Sequence, residues 1–289
     1  MEKMKVFGLM LVLTVLLVWL GGFLGGTEGA MVFFVIALAM NFGMYWFSDK
    51  LVLRQFKAHI VRPGEEGGRF DSLYEMVDRL RQRAGLPMPV VAVSEQAQPN
   101  AFATGRNPKN AVVCVTRGMW EMVARGQMQV DELEGVMAHE LAHIKHRHML
   151  VMTIAASFAG AIMLIGRMLQ FGAIFGGGRG QGGNPIATIA IAILAPLAAV
   201  MVQMMISRRN EFEADAGAAE MSGNPMALAR ALQRIEAIAR GNPMPVNQAV
   251  APLAIVNPLG SLGGASALFR THPPTEDRVA ALERIARGR

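Results

Sequence analysis

The sequence predicts a mainly α integral membrane protein: two transmembrane hairpins joined to a cytosolic α+β portion with a small antiparallel sheet. Three observations predict it. Apolar residues make up 52% of the 289 and charged residues only 17%, with a mean hydropathy of +0.32, too apolar for an ordinary soluble domain. Four apolar stretches, at residues 6–24, 30–47, 149–166 and 185–206, come in two closely spaced pairs and approach or reach the length needed to cross a bilayer. The remaining segments have the composition of soluble protein. The expected organisation is therefore a first hairpin (1–48), a polar part (49–148), a second hairpin (149–207) and a second polar part (208–289).

The first stretch follows Lys3 and Lys5. No small-x-small cleavage site is evident and the second stretch begins almost at once, so a retained anchor is expected rather than a removed signal peptide. The Gly-rich turn between the two carries no Lys or Arg, whereas Lys50, Arg54, Lys57 and Arg62 follow the second. The positive-inside rule places both ends of this hairpin in the cytoplasm. Asn41, within the second stretch, reads as an interhelical hydrogen-bonding group.

In the first polar part Leu73, Met76, Val77 and Leu80 recur at helical spacing, with Asp71 as N-cap and Gly85 then Pro87 as the stop. Pro89 to Ser94 and Ala111 to Thr116 are β-branched runs. Between them lie Asn100 to Gly105 and the turn-rich Arg106 to Asn110, predicting a small antiparallel sheet or hairpin. Asp131 followed by Glu134 resembles a capping box, so a helix is expected from about Glu132.

The third stretch starts at Met149, and Arg167 can snorkel to the far interface. A glycine-rich turn (176–183) leads into the fourth, where Pro196 predicts a kink and Arg208 and Arg209 mark a cytoplasmic end. Beyond it a helix is expected from Pro225 to Arg240, with Asn224 as N-cap and Gly241 as stop. Residues 241–269 have no clear period and read as a flap or a plain long loop. Thr271-His272-Pro273-Pro274 leads into a last helix containing Arg278 and Leu282.

The net charge of +6 does not predict a nucleic-acid partner: the surplus Lys and Arg flank apolar spans and form no basic run with interleaved aromatics. The single cysteine, Cys114, excludes an internal disulfide and a thiolate metal cluster, and reads as a small core residue.

The chemistry centres on His139-Glu140-Leu141-Ala142-His143. Residues four apart on a helix lie about 40° apart on one face, with β-carbons roughly 5–6 Å from each other. Two imidazoles so placed can close on one zinc ion, and Glu140 between them can act on a water at the metal without binding it. A catalytic zinc takes a third protein ligand. His146 shares the helical face but sits too far along the axis, and Lys145-His146-Arg147-His148 reads as a basic collar at the lipid headgroups. Glu211 and Asp215, also four apart, can supply a ligand and a carboxylate for a histidine ring N–H. The same pair reads equally well as a solvated acidic face.

Taken in order, Asn100-Ala101-Phe102-Ala103-Thr104-Gly105, the zinc motif, Glu211-Phe212-Glu213-Ala214-Asp215 and Thr271-His272-Pro273-Pro274, with four spans, resemble the HtpX family. These are bacterial inner-membrane zinc proteases of the heat-shock response, related to the type I CAAX prenyl proteases. The resemblance covers essentially the whole chain. It implies a zincin-like catalytic domain with one Zn2+ per chain held by His139, His143 and Glu211, Glu140 as general base and Asp215 behind a ligand. It implies that substrate docks along Asn100, Ala101, Phe102 and Ala103, and that His272, otherwise a surface loop histidine, holds substrate or oxyanion with Arg278 in support. The expected activity is hydrolysis of damaged membrane proteins at the cytoplasmic face of the inner membrane, with membrane-protein substrates and the bilayer as partners.

Two other protein classes carry a similar motif. In a site-2-type intramembrane protease the motif lies inside a hydrophobic span and an aspartate is the third ligand; here Asp131, Glu132 and Glu134 precede it and Lys145 to His148 follow. A scaffold with a structural zinc would be expected to close four ligands, commonly cysteines, and would leave Glu140 without a role.

Overall fold

The computed structural model describes residues 2–152, 154, 208–241 and 273–288. Helix α1 (Glu2–Gln55) is broken at Gly25 (φ −145°, ψ 21°) and Gly26 (φ 62°, ψ −147°), a left-handed step that glycine takes without penalty. Its two halves, Val6–Phe23 and Gly25–Phe47, are each long and apolar enough to cross a membrane. The second begins earlier than the expected residue 30, because the turn is confined to two glycines. The halves fold back on each other. Asn41 Nδ2 donates to Met10 O (3.3 Å) and Thr14 Oγ1 (2.9 Å), and a β-carbon on Gly21 or Gly29 would collide with the other's backbone. Phe7, Leu11, Val15, Trp19, Val35 and Phe42 point outward, a surface suited to lipid rather than water. The stretches expected at 149–166 and 185–206, and the loop at 241–269, fall wholly or almost wholly outside the described residues.

Four strands form one sheet: β1 (Ala58–Ile60), β2 (Val90–Ser94), β3 (Ala101–Gly105) and β4 (Ala111–Thr116), in the order β1-β2-β4-β3. The sheet is mixed, correcting the antiparallel expectation. β3 and β4 make the expected hairpin, but β2 runs parallel to β4, and β1, unforeseen, adds antiparallel to β2. The crossover between β2 and β3 is pinned by Thr116, whose hydroxyl accepts from Asn100 N (2.8 Å) and donates to Gln98 O (2.7 Å).

Both faces of the sheet are covered, so β3 and β4 are buried at every position and read as continuous apolar runs. Val91, Val93, Ala101, Ala103, Val113 and Val115 face the main core. Ala92, Phe102, Val112 and Cys114 face Val52 and Phe56 at the end of α1, with the Phe56 and Phe102 rings 4.4 Å apart. Burial pushes the Cys114 thiol far up, so it stays protonated.

The main core is built around α4 (Val130–Lys145), flanked by α2 (Asp71–Ala84), α3 (Arg117–Ala124), α5 (Arg208–Ser222), α6 (Pro225–Gly241) and α7 (Thr275–Ala286). In α2, Asp71 is the first helical residue rather than the cap, while Gly85 closes the helix in the left-handed conformation as expected. α4 also starts earlier than expected. Gln129 N donates to Glu132 Oε2 (3.0 Å), so Gln129 and Glu132 form the capping pair. Asp131 instead reaches Arg230 (2.7 Å), and Glu132 holds Arg234 (3.0 and 3.1 Å), tying α4 to α6. Asn224 caps α6 as expected, accepting from Ala227 N at 3.1 Å.

Glycines let the helices approach. A β-carbon on Gly135 would meet Leu228 N of α6 at 2.9 Å, and one on Gly217 would meet Ala142 Cβ at 2.9 Å. The second contact brings α5 onto the face of α4 that carries the histidines.

Candidate metal centre

α4 presents His139 and His143 one turn apart, and α5 presents Glu211 opposite them. One donor atom from each lies within 4.8 Å of the others, and all three side chains are at most 5% exposed. The Nε2 atoms of the histidines are 3.1 Å apart. Glu211 Oε2 lies 3.7 Å from His139 Nε2 and Oε1 3.5 Å from His143 Nε2. Metal–donor bonds of 2.0–2.1 Å at tetrahedral angles put donors about 3.3–3.4 Å apart. The nitrogen pair and the two nitrogen–oxygen approaches, each to a different Glu211 oxygen, lie on either side of that value, so the residues can converge on one small cation. Glu140, buried on the same helix, follows the first donor in sequence.

Behind this face sits a buried ion pair. His139 Nδ1 lies 3.0 Å from Asp215 Oδ1. Arg278, fully buried on α7, donates through Nε to Asp215 Oδ2 (2.9 Å) and through a terminal nitrogen to Oδ1 (2.7 Å), and its other terminal nitrogen lies 3.5 Å from Glu211 Oε2. Burial works against the Asp215 carboxylate, but Arg278 outweighs it and holds the group below the usual aspartate range. Burial likewise opposes charge on His139, yet the Asp215 hydrogen bond leaves its pKa raised. His143 behaves oppositely: burial first, then its neighbour His139, keep it neutral to well below the ordinary histidine range. Neutral imidazole is the form a metal binds.

The structure therefore brings together His139, His143, Glu211 and Asp215. It places Asn100, Ala101, Phe102 and Ala103 in and just before β3, the edge strand beside β4 that packs against α4. Arg278 is set on Asp215 and Glu211. His272 lies outside the described residues.

One expectation fails. His148 is no part of a surface collar: it is 4% exposed and its Nδ1 lies 3.2 Å from His143 Nδ1. The cause is the end of α4. Arg147 adopts the left-handed conformation (φ 62°), Arg147 N bonds Ile144 O (3.2 Å) and His148 N bonds His143 O (3.0 Å). This is a Schellman turn, and it folds the chain back onto the helix. The usual sequence signal, glycine at the left-handed position, is missing here.

A helix-borne His-x-x-x-His pair facing a carboxylate from a second helix, beside a mixed sheet and apolar N-terminal helices, defines a membrane-associated protein with a metallopeptidase-like centre. Comparison with known proteins makes this specific. The profile of peptidase family M48 matches residues 68–286. The protease HtpX homologue of Gemmatimonas aurantiaca is 51% identical over 99% of this chain and 100% of its own. Those of Syntrophotalea carbinolica and Salinibacter ruber are 46% and 48% identical over 99% of both chains. In fold, the chain resembles the crystal structure of S. mikatae Ste24p (TM-score 0.51, 20% identity), over 96% of this chain and 62% of that one. The chain belongs to peptidase family M48, alongside the HtpX proteases. It is a membrane-bound metalloprotease.

Proposed function

We propose that the chain is a zinc metalloendopeptidase of the bacterial inner membrane that cleaves exposed segments of damaged membrane proteins at the cytoplasmic face. The observation that carries this reading is the convergence of His139, His143 and Glu211, one donor atom of each within 4.8 Å of the others, with Glu140 next to His139 on its helix. In this reading 1–48 and 149–207 form membrane hairpins, and 49–148 and 208–289 form the catalytic part.

A zinc ion bound there would polarise the scissile carbonyl and acidify a water. Glu140 takes a proton from the attacking water and passes it to the leaving amine as the peptide C–N bond breaks. Asp215 accepts the Nδ1 proton of His139 and so aims its Nε2 at the metal, while Arg278 fixes Asp215. His272 would donate a hydrogen bond to the developing oxyanion.

Substrate binding follows from the ladder. Thr116 N bonds Asn100 O (2.9 Å), so the bonded pairs of the β3–β4 ladder alternate from Asn100–Thr116. That leaves the backbone groups of Ala101 and Ala103 directed away from β4. An extended substrate pairing with them gains affinity with little sequence preference, which suits protein quality control.

The test uses purified full-length protein. Glu140→Ala is expected to keep zinc and lose cleavage of an unfolded membrane protein; persistent cleavage would remove Glu140 as base. Glu211→Ala is expected to lose zinc, whereas retained zinc would favour an aspartate ligand and the intramembrane reading.

A further inference from the structure

The two proposed ligand histidines have different partners on their second nitrogen. His139 has a carboxylate; His143 has His148, with ring centroids 5.4 Å apart and edge to face. Two Nδ1 atoms lie 3.2 Å apart, and a hydrogen bond between them needs one ring to donate and the other to accept. With Nε2 of His143 offering its lone pair to a metal, the proton sits on Nδ1, and His148 Nδ1 must be the acceptor. His148 then carries its own proton on Nε2, which faces Glu213 Oε2 at 3.8 Å. The other oxygen of Glu213 lies 3.1 Å from His146 Nδ1.

We propose that His148 is a positioning residue: as the hydrogen-bond acceptor at Nδ1 it fixes the tautomer and ring angle of His143. The proposal rests on His139, His143 and Glu211 being the zinc ligands. The turn at Arg147 supports it independently. A non-glycine residue is held left-handed, and the turn sets the His148 backbone against the carbonyl of the residue its ring must orient.

The experiment compares wild-type full-length protein with His148→Asn and His148→Leu. Asparagine offers an acceptor oxygen close to where Nδ1 sat, and leucine fills the space without one. Zinc affinity is measured on metal-free protein by chelator competition, the Co2+ visible spectrum reports ligand geometry, and kcat is separated from KM. Leucine is expected to weaken zinc binding by about 10–100-fold, to alter the Co2+ spectrum and to lower kcat more than it raises KM. Asparagine is expected to recover most of each loss. If leucine does not fold, checked by unfolding of the metal-free form, His148→Ala takes its place. Wild-type affinity in the leucine or alanine variant overturns the proposal, as does equal weakening by asparagine. A wild type that binds no zinc overturns both this proposal and the zinc reading beneath it.

Discussion

His139 and His143 sit one turn apart on the same helix, yet the structure supports them by opposite means. On the His139 side a buried carboxylate and a buried guanidinium, Asp215 and Arg278, face each other with two hydrogen bonds. On the His143 side stands a second imidazole, His148, and Glu213, 3.8 Å from that ring among the described residues, is 42% exposed. The first arrangement is strong but brittle, since removing one partner strands the other charge out of water. The second is gentle and depends on the backbone turn that delivers His148. Stability is therefore expected to concentrate on one side of the site, and tuning of ligand geometry on the other.

The largest expected effect tests the brittle side. Arg278→Met leaves Asp215 and Glu211 buried without their cation and should cost the metal-free protein about 3–5 kcal/mol. Glu213→Gln on the other side should cost less than about 1 kcal/mol. Denaturant unfolding after chelation measures both, and equal losses would dissolve the contrast.

Gly217→Ala tests what the two sides share. Its β-carbon would press on Ala142 and push α5, with Glu211 and Asp215, off α4. An overpacking cost of about 1–3 kcal/mol is expected, with weaker metal binding.

pH separates the histidines directly. In metal-free protein His139 has a raised pKa, so its contribution to stability is full below about 6.5 and fades as pH rises through the folded value. His143 has a depressed pKa and does the reverse, penalising the fold as pH falls below about 6.5. Histidine NMR titration should find His143 neutral while His139 is still protonated; the opposite order would contradict the assignment of partners. The smallest effect is on the turn. Arg147→Gly removes a left-handed side chain and should gain about 0.5–1 kcal/mol, with zinc affinity unchanged.

What the sequence discloses here depends on whether the signal is local. The His139–His143 pair on one helical face, Gly85 as a helix stop and Asn224 as a cap are patterns within a few residues, and each lies where it was expected. The α5 carboxylates were visible as a same-face pair, but that they are buried rather than a solvated acidic face follows from the packing of Gly217 on Ala142. The parallel pairing of β2 with β4 depends on a crossover, and no periodicity in either run encodes it. His148 looked like a basic surface residue because its burial follows from a left-handed arginine, a conformation sequence rules assign to glycine. Likewise the resemblance set Arg278 in support of His272, and its pairing with Asp215, 63 positions away in the chain, carries no local signal.

The proposed centre is one ion held by two imidazoles and a carboxylate. Zinc-edge X-ray absorption on the purified full-length protein, together with metal analysis, tests this most directly. One zinc per chain with two imidazole nitrogens at about 2.0–2.1 Å and oxygen donors completing the shell is the predicted result. Three imidazoles, or a shell of oxygen alone, would contradict it.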